Sequence, residues 1–239
     1  MTLDSLPASF ATTRVALHQI AFFAVSPVRY KAMGRMGLTA TPGGYGTPEF
    51  DGRVLRVEGA LLVDEHDGNV ATQTITTIRA ASEFFGNGYE VEWFADFHDP
   101  LSPADPDTTL EVDDASGRAI GEWFEFGVGI LNELRSHGQD GDDVSDVQLW
   151  PEHFDPATEM GDSDLGQRAS FGASPGDGTH PKPYLYVAAW SDIDRSNAFW
   201  NEDSFNGASL TYSEIIASTD PRGRAMEFLV DGYRALHTG

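Results

Sequence analysis

The strand-forming segments of this chain come in two runs, each bracketed by helical patterns, and do not alternate one by one with helices. That order argues against a doubly wound α/β sheet. It predicts an α+β fold, with largely antiparallel sheets and packed helices. The first run covers residues 37–41, 54–59, 60–63 and 70–74, punctuated by a dense set of turn formers at 42–48 and by Asp67-Gly68. The second covers residues 147–150, 158–161, 167–172, 184–190 and 208–212, with polar turns between. Around them, residues 12–23 have a helical pattern that Pro27 is expected to stop. Residues 76–85 place Ile78, Ala81, Phe84 and Phe85 on one helical face. The clearest helix is capped by Asp113 or Asp114, carries Ile120, Trp123, Phe124, Gly127, Leu131 and Leu134 as an apolar stripe, and ends at His137-Gly138. Asp220-Pro221 opens a last helix bearing Ala225, Phe228, Leu229, Gly232 and Leu236.

A helix, then β-rich sequence, then a helix occurs twice, which predicts two similar helix-sheet-helix halves without residue-by-residue repetition. At 239 residues the chain is near the upper size for one hydrophobic core. The expectation is a single domain, 1–239, whose halves, about 1–105 and 106–239, share a core. The acidic, proline-rich connection at 100–109 is too short for a free tether.

Composition narrows the chemistry. With no cysteine, disulfides, thiolate nucleophiles and cysteine-held metals are excluded, and any metal must use His, Asp, Glu or backbone oxygen. The formal charge of −23, with Lys31 and Lys182 the only lysines, repels phosphate backbones, so no nucleic-acid partner is expected. No segment approaches a membrane span, and residues 1–7 do not read as a signal peptide, so the expected location is cytoplasmic, with no membrane partner.

The segment Leu149-Trp150-Pro151-Glu152-His153-Phe154-Asp155 and the later stretch from Gly172 through Asp177 and His180 to Val187 hold more polar and turn-fixing residues than a core needs. If the first stays extended past Pro151, His153 and Asp155 share a face. His180 and Asp177 lie in a proline-punctuated loop that returns beside the strands. Converging imidazoles and carboxylates either bind a divalent metal, with His153 and His180 the candidate ligands, or form acid/base pairs, with His153, Asp155, Asp177 and His180 the catalytic candidates. The other reading is structural, with the carboxylates holding turns. The spacing matches no metal signature, and no cofactor is identified.

Tyr184, Tyr186, Ala188 and Trp190 alternate with Leu185, Val187 and Ala189, as in a central strand; the tyrosine face alternatively lines a pocket, with Trp150, Tyr184 and Tyr186 as ligand-binding candidates. The glycines at 42–48 read as a turn, the acidic run at 140–146 as a solvated loop, and His18 and His66 as isolated residues. Ser170 and Ser174 lie outside any nucleophile elbow.

On residues 35–48, 149–155, 172–177 and 180–187 the chain resembles a group of uncharacterised actinobacterial proteins of similar length. Its C-terminal half is distantly similar to a broader bacterial family of unknown function, with a sheet followed by a helix opening on Asp-Pro. The resemblance implies a self-contained bacterial domain and carries no activity. Two readings follow from the residues: a small-molecule-binding protein with its pocket by the C-terminal sheet, or a His/carboxylate hydrolase or isomerase acting with or without a divalent metal.

Overall fold

The computed structural model describes residues 3–90 and 100–237. It is an α+β fold with two five-stranded antiparallel sheets, ordered β1-β2-β3-β4-β5 and β10-β9-β8-β7-β6. The chain separates into two compact units. The N-terminal unit comprises Ser5–Glu125 and Leu149–Phe154; the C-terminal unit comprises Met1–Asp4, Phe126–Gln148 and Asp155–Gly239. The division falls inside a helix, and the acidic connection at 100–109 lies wholly within the N-terminal unit.

In the N-terminal unit, the helical segment that opens with α1 (Phe10–Ile20) does not stop at Pro27. It passes through a π-bulge, Ala21–Val25, into α2 (Ser26–Met33), which Gly34 terminates in the left-handed conformation. Pro27 has no amide to give the carbonyl of Phe23, and its ring crowds that carbonyl in a regular α-helix. The wider turn relieves the crowding. The Phe23 carbonyl accepts instead from the buried hydroxyl of Ser82 at 3.3 Å. Ser82 belongs to α3 (Ile78–Phe84), whose cap is the Thr77 hydroxyl, accepting the Ala80 amide at 3.1 Å. Phe22, Phe23 and Ile78 pack as one fully buried cluster between these helices.

The strands of this unit are β1 (Thr39–Thr41), β2 (Gly44–Gly46), β3 (Arg53–Glu58), β4 (Leu61–His66) and β5 (Asn69–Thr74). The glycine-rich segment read as a turn is both turn and strand. Pro42-Gly43 makes the two-residue reversal, with Gly43 at φ +71, and Gly44 to Gly46 then pair with β3. Glycine is required on either side of Tyr45, because a Cβ on Gly44 would lie 1.8 Å from the Val57 carbonyl oxygen and one on Gly46 2.3 Å from that of Leu55.

The helix α4 (Asp114–Leu134) begins behind Asp113, whose carboxylate accepts both the amide and the hydroxyl of Ser116 at 2.9 and 2.8 Å. The expected stripe of Ile120, Trp123, Phe124, Leu131 and Leu134 is fully buried.

The second sheet runs through β6 (Gln148–Trp150), β7 (Asp155–Met160), β8 (Ala169–Ser174), β9 (Tyr184–Ala189) and β10 (Gly207–Thr211). A capping box at Thr211 and Glu214 opens α5 (Tyr212–Ala217). The last helix, α6 (Pro221–His237), starts as the Asp-Pro pair predicts, with Asp220 accepting the Gly223 amide at 3.0 Å. It packs on β8, β9 and β10 through a face that includes Ala225, Phe228, Leu229 and Gly232.

Candidate functional site

The polar segment after β6 belongs to the N-terminal unit and is a turn, not an extended strand. The Phe154 amide donates to the Trp150 carbonyl at 2.7 Å, and Phe154 takes φ +57. That conformation costs an L-residue roughly 1–2 kcal/mol. Burial of its ring offsets the cost. The Phe154 ring stacks on His18 at 5.1 Å and meets Tyr45 and Phe124 edge-on, each at 5.1 Å. His18, which looked isolated in the sequence, holds this turn. Its Nε2 bonds the carbonyls of Pro151 at 2.9 Å and Glu152 at 3.1 Å. Two carbonyl acceptors require the proton on Nε2. Burial drives the His18 pKa down to about 4 against the pull of those two bonds, and the nearby His153 and Arg14 lower it further. His18 is therefore a neutral, structural imidazole.

The turn breaks the premise that placed His153 and Asp155 on one extended face. His153 is exposed and Trp150 half-buried, both in the N-terminal unit, whereas Asp155 is buried at the start of β7 in the C-terminal unit. The remaining candidates, Asp177, His180, Tyr184 and Tyr186, all lie in the C-terminal unit with Asp155.

There the register divides the sheet into two chemically opposite faces. Phe171, Ala173, Leu185, Val187, Ala208 and Leu210 fall on one side and are buried. The other side carries Ser170, Gly172, Ser174, Tyr184, Tyr186, Ala188 and Ser209. The alternation of Tyr184, Tyr186, Ala188 and Trp190 follows this second, outward face. The Tyr186 ring crosses β8 over Gly172, where a Cβ would sit 2.3 Å from the ring Cζ, and its hydroxyl donates to Asp155 Oδ2 at 2.6 Å. Tyr184 donates to Asp177 Oδ2 at 2.7 Å. Burial raises both phenol pKa values, and the carboxylate partners raise them further, so both remain protonated donors.

Asp177 also accepts the amides of Thr179 and His180, both at 2.6 Å. Burial raises the Asp177 pKa, but these amides and the Tyr184 hydroxyl outweigh it and the net shift is downward. His180 packs tilted against Tyr184, with ring centroids 4.5 Å apart and planes at 39°, and its Nε2 lies 3.1 Å from Glu202 Oε2. The amide and hydroxyl of Ser204 and the hydroxyl of Ser209 also donate to Glu202. Burial raises its pKa, and those donors together with His180 reverse the effect, to about 2. An ionised Glu202 requires Nε2 of His180 to be the donor; Nδ1 is buried, makes no hydrogen bond and lies 3.6 Å from Asp177 Oδ2. His180 thus ties the 175–183 loop to the loop before β10.

The structure therefore unites Asp155 with Tyr186, and Asp177 with Tyr184 and His180. Among the described residues no group of three or more His, Asp or Glu side chains forms a candidate metal-binding cluster. Sequence reasoning missed His18, Glu202 and the pairing of Arg168 with Trp190, in which the guanidinium carbon lies 4.9 Å from the indole centroid. Glu202 sits in a short acidic segment with no distinguishing pattern, and His18 gains its partners from residues 133 and 134 positions away. No known family matches the chain, and no curated protein or solved structure is significantly similar to it.

Proposed function

We propose that this chain is a small-molecule-binding protein whose site is the outward face of the C-terminal sheet. The observation that carries the reading is the contrast between the two faces of β8 and β9: one is wholly apolar and covered, the other is built of serines, small residues and immobilised tyrosines and stays partly open at Ser170, Ala188 and Tyr186. A few fixed polar groups beside aromatic surface are what a small-ligand site requires. The Tyr186–Asp155 and Tyr184–Asp177 pairs hold the phenols in place before any ligand arrives. This arrangement favours binding over acid/base chemistry, because His180 has one nitrogen on Glu202 and the other buried. No helix among the described residues is long and apolar enough to cross a membrane. A cytoplasmic location is part of the proposal and accords with a chain that has no cysteine.

The test is a fragment screen by thermal shift on the wild type and on Ala188→Arg, which fills the open part of the face. Compounds that raise the unfolding temperature of the wild type and not of the variant are the expected result. Identical behaviour of the two proteins across the library contradicts the reading.

A further inference from the structure

At one end of the same face an exposed tryptophan is held rigid. Trp190 is 54% exposed, yet its indole Nε1 donates to Ser170 Oγ at 3.0 Å and the Arg168 guanidinium carbon lies 4.9 Å from its ring centroid. Arg168 is itself buried, bonded to Asp143 Oδ2 and Glu159 Oε2, both at 2.8 Å, and its carbonyl accepts the Trp190 amide at 3.0 Å. One face of the indole is thus backed by a fixed cation. Exposure of the ring is left to its other face and edges. A surface side chain otherwise loses its freedom only on binding; here that cost is met within the fold.

Register sets polar groups beside this plate. Glu159 pairs with Ser170, and Ser170 with Ala188, so the three lie side by side in the row next to Trp190 and Arg168. Ser170 accepts from the indole and retains its own hydroxyl proton to donate. The Glu159 side chain is 35% exposed, and its carboxylate, held at Oε2 by Arg168, offers acceptors. Ala188 is a half-buried, small floor between Trp190 and the Tyr186 ring, against which Phe205 packs edge-on at 6.1 Å.

Resting on the reading above, we infer that Trp190 is a stacking platform for a neutral sugar ring. The C–H face of a pyranose lies on the outer indole face, and its hydroxyls meet Ser170 and Glu159. An anion is opposed by the net charge of −23 and by Glu159 itself. A planar cation gains less, since the ring's attraction for positive charge is already directed at Arg168. A neutral ring with an apolar face and a hydroxyl rim matches both the plate and its neighbours.

Ligand-observed NMR with a panel of neutral mono- and disaccharides on the full chain tests the assignment, alongside a library of charged and aromatic fragments. Wild type is expected to bind at least one sugar, Trp190→Ala to weaken it by about tenfold or more, and Trp190→Phe to retain part of it, with unfolding temperatures showing all three folded. Failure of every sugar, with Trp190-dependent binding of another compound class, overturns the sugar assignment and leaves the binding face standing. Failure of both panels overturns the two together. Sugar binding that is indifferent to Trp190 overturns the platform.

Discussion

If His18 is held neutral beneath the 150–154 turn, the protein must lose stability as it is acidified through a window that opens well above that of the lowered carboxylates. Its pKa is about 4 in the fold against 6.5 for the free side chain. Between these values the unfolded chain takes up a proton that the folded chain refuses, so this contribution is complete above 6.5 and is lost as pH falls toward 4. The drop from 6.5 to about 4 corresponds to about 3 kcal/mol in full. From about pH 7.5 to about pH 5 the linkage integral gives a loss of about 2 kcal/mol. The lowered carboxylates, Asp142, Asp177 and Glu202 among them, release their contributions only below the ordinary carboxylate values of 3.8 to 4.5. His18→Gln keeps a donor for the Pro151 and Glu152 carbonyls but cannot ionise and cannot stack on Phe154. It should be less stable than wild type near neutrality by about 1 kcal/mol, the order of a lost aromatic contact, and almost flat across the same pH interval. Urea unfolding of both proteins at several pH values reads this directly. Parallel stability curves would refute the reasoning, since they would mean that His18 titrates alike in the folded and unfolded chains.

Gly172→Ala should displace the Tyr186 ring, break its bond to Asp155 and destabilise the protein by about 1–3 kcal/mol, the range for overpacking; a denaturant midpoint unchanged from wild type would show that the ring does not lie over Gly172. Glu202→Gln should flatten the acid limb of the stability curve, because the depressed carboxylate stabilises the fold above the free glutamate value of 4.5 and loses that contribution as pH falls toward 2. Acid titrations of variant and wild type that superimpose would contradict the network drawn around Glu202.

Local signals in the sequence were enough for much of the architecture. The Asp113 and Asp220 caps, the α4 stripe and the alternation in β9 each depend on residues within a turn or two of one another, and each recurs in the structure. What could not be read depends on distant partners. Pro27 stays inside a helix because the bulge widens and Ser82, 59 residues beyond Phe23, supplies a hydroxyl to the Phe23 carbonyl. His18 carries no local pattern at all, and its meaning comes from the carbonyls of a turn more than 130 residues further on. At the candidate site, Asp177 and Tyr184 are seven residues apart and were nameable together, and Asp155 and Tyr186 were both singled out, but their pairing requires the strand register. Alternation placed Trp190 on the tyrosine face of β9, while neither its exposure nor the Arg168 beneath it could be read there.

The claim that the outward face of the C-terminal sheet receives a ligand is tested most directly by following the indole N–H resonance of Trp190, assigned by its loss in Trp190→Phe, while ligand hits are titrated into ¹⁵N-labelled protein. The account predicts that this resonance and the amides of Ser170 and Ala188 shift together and saturably. Saturable shifts confined to other parts of the chain, with these three resonances unmoved, would contradict it.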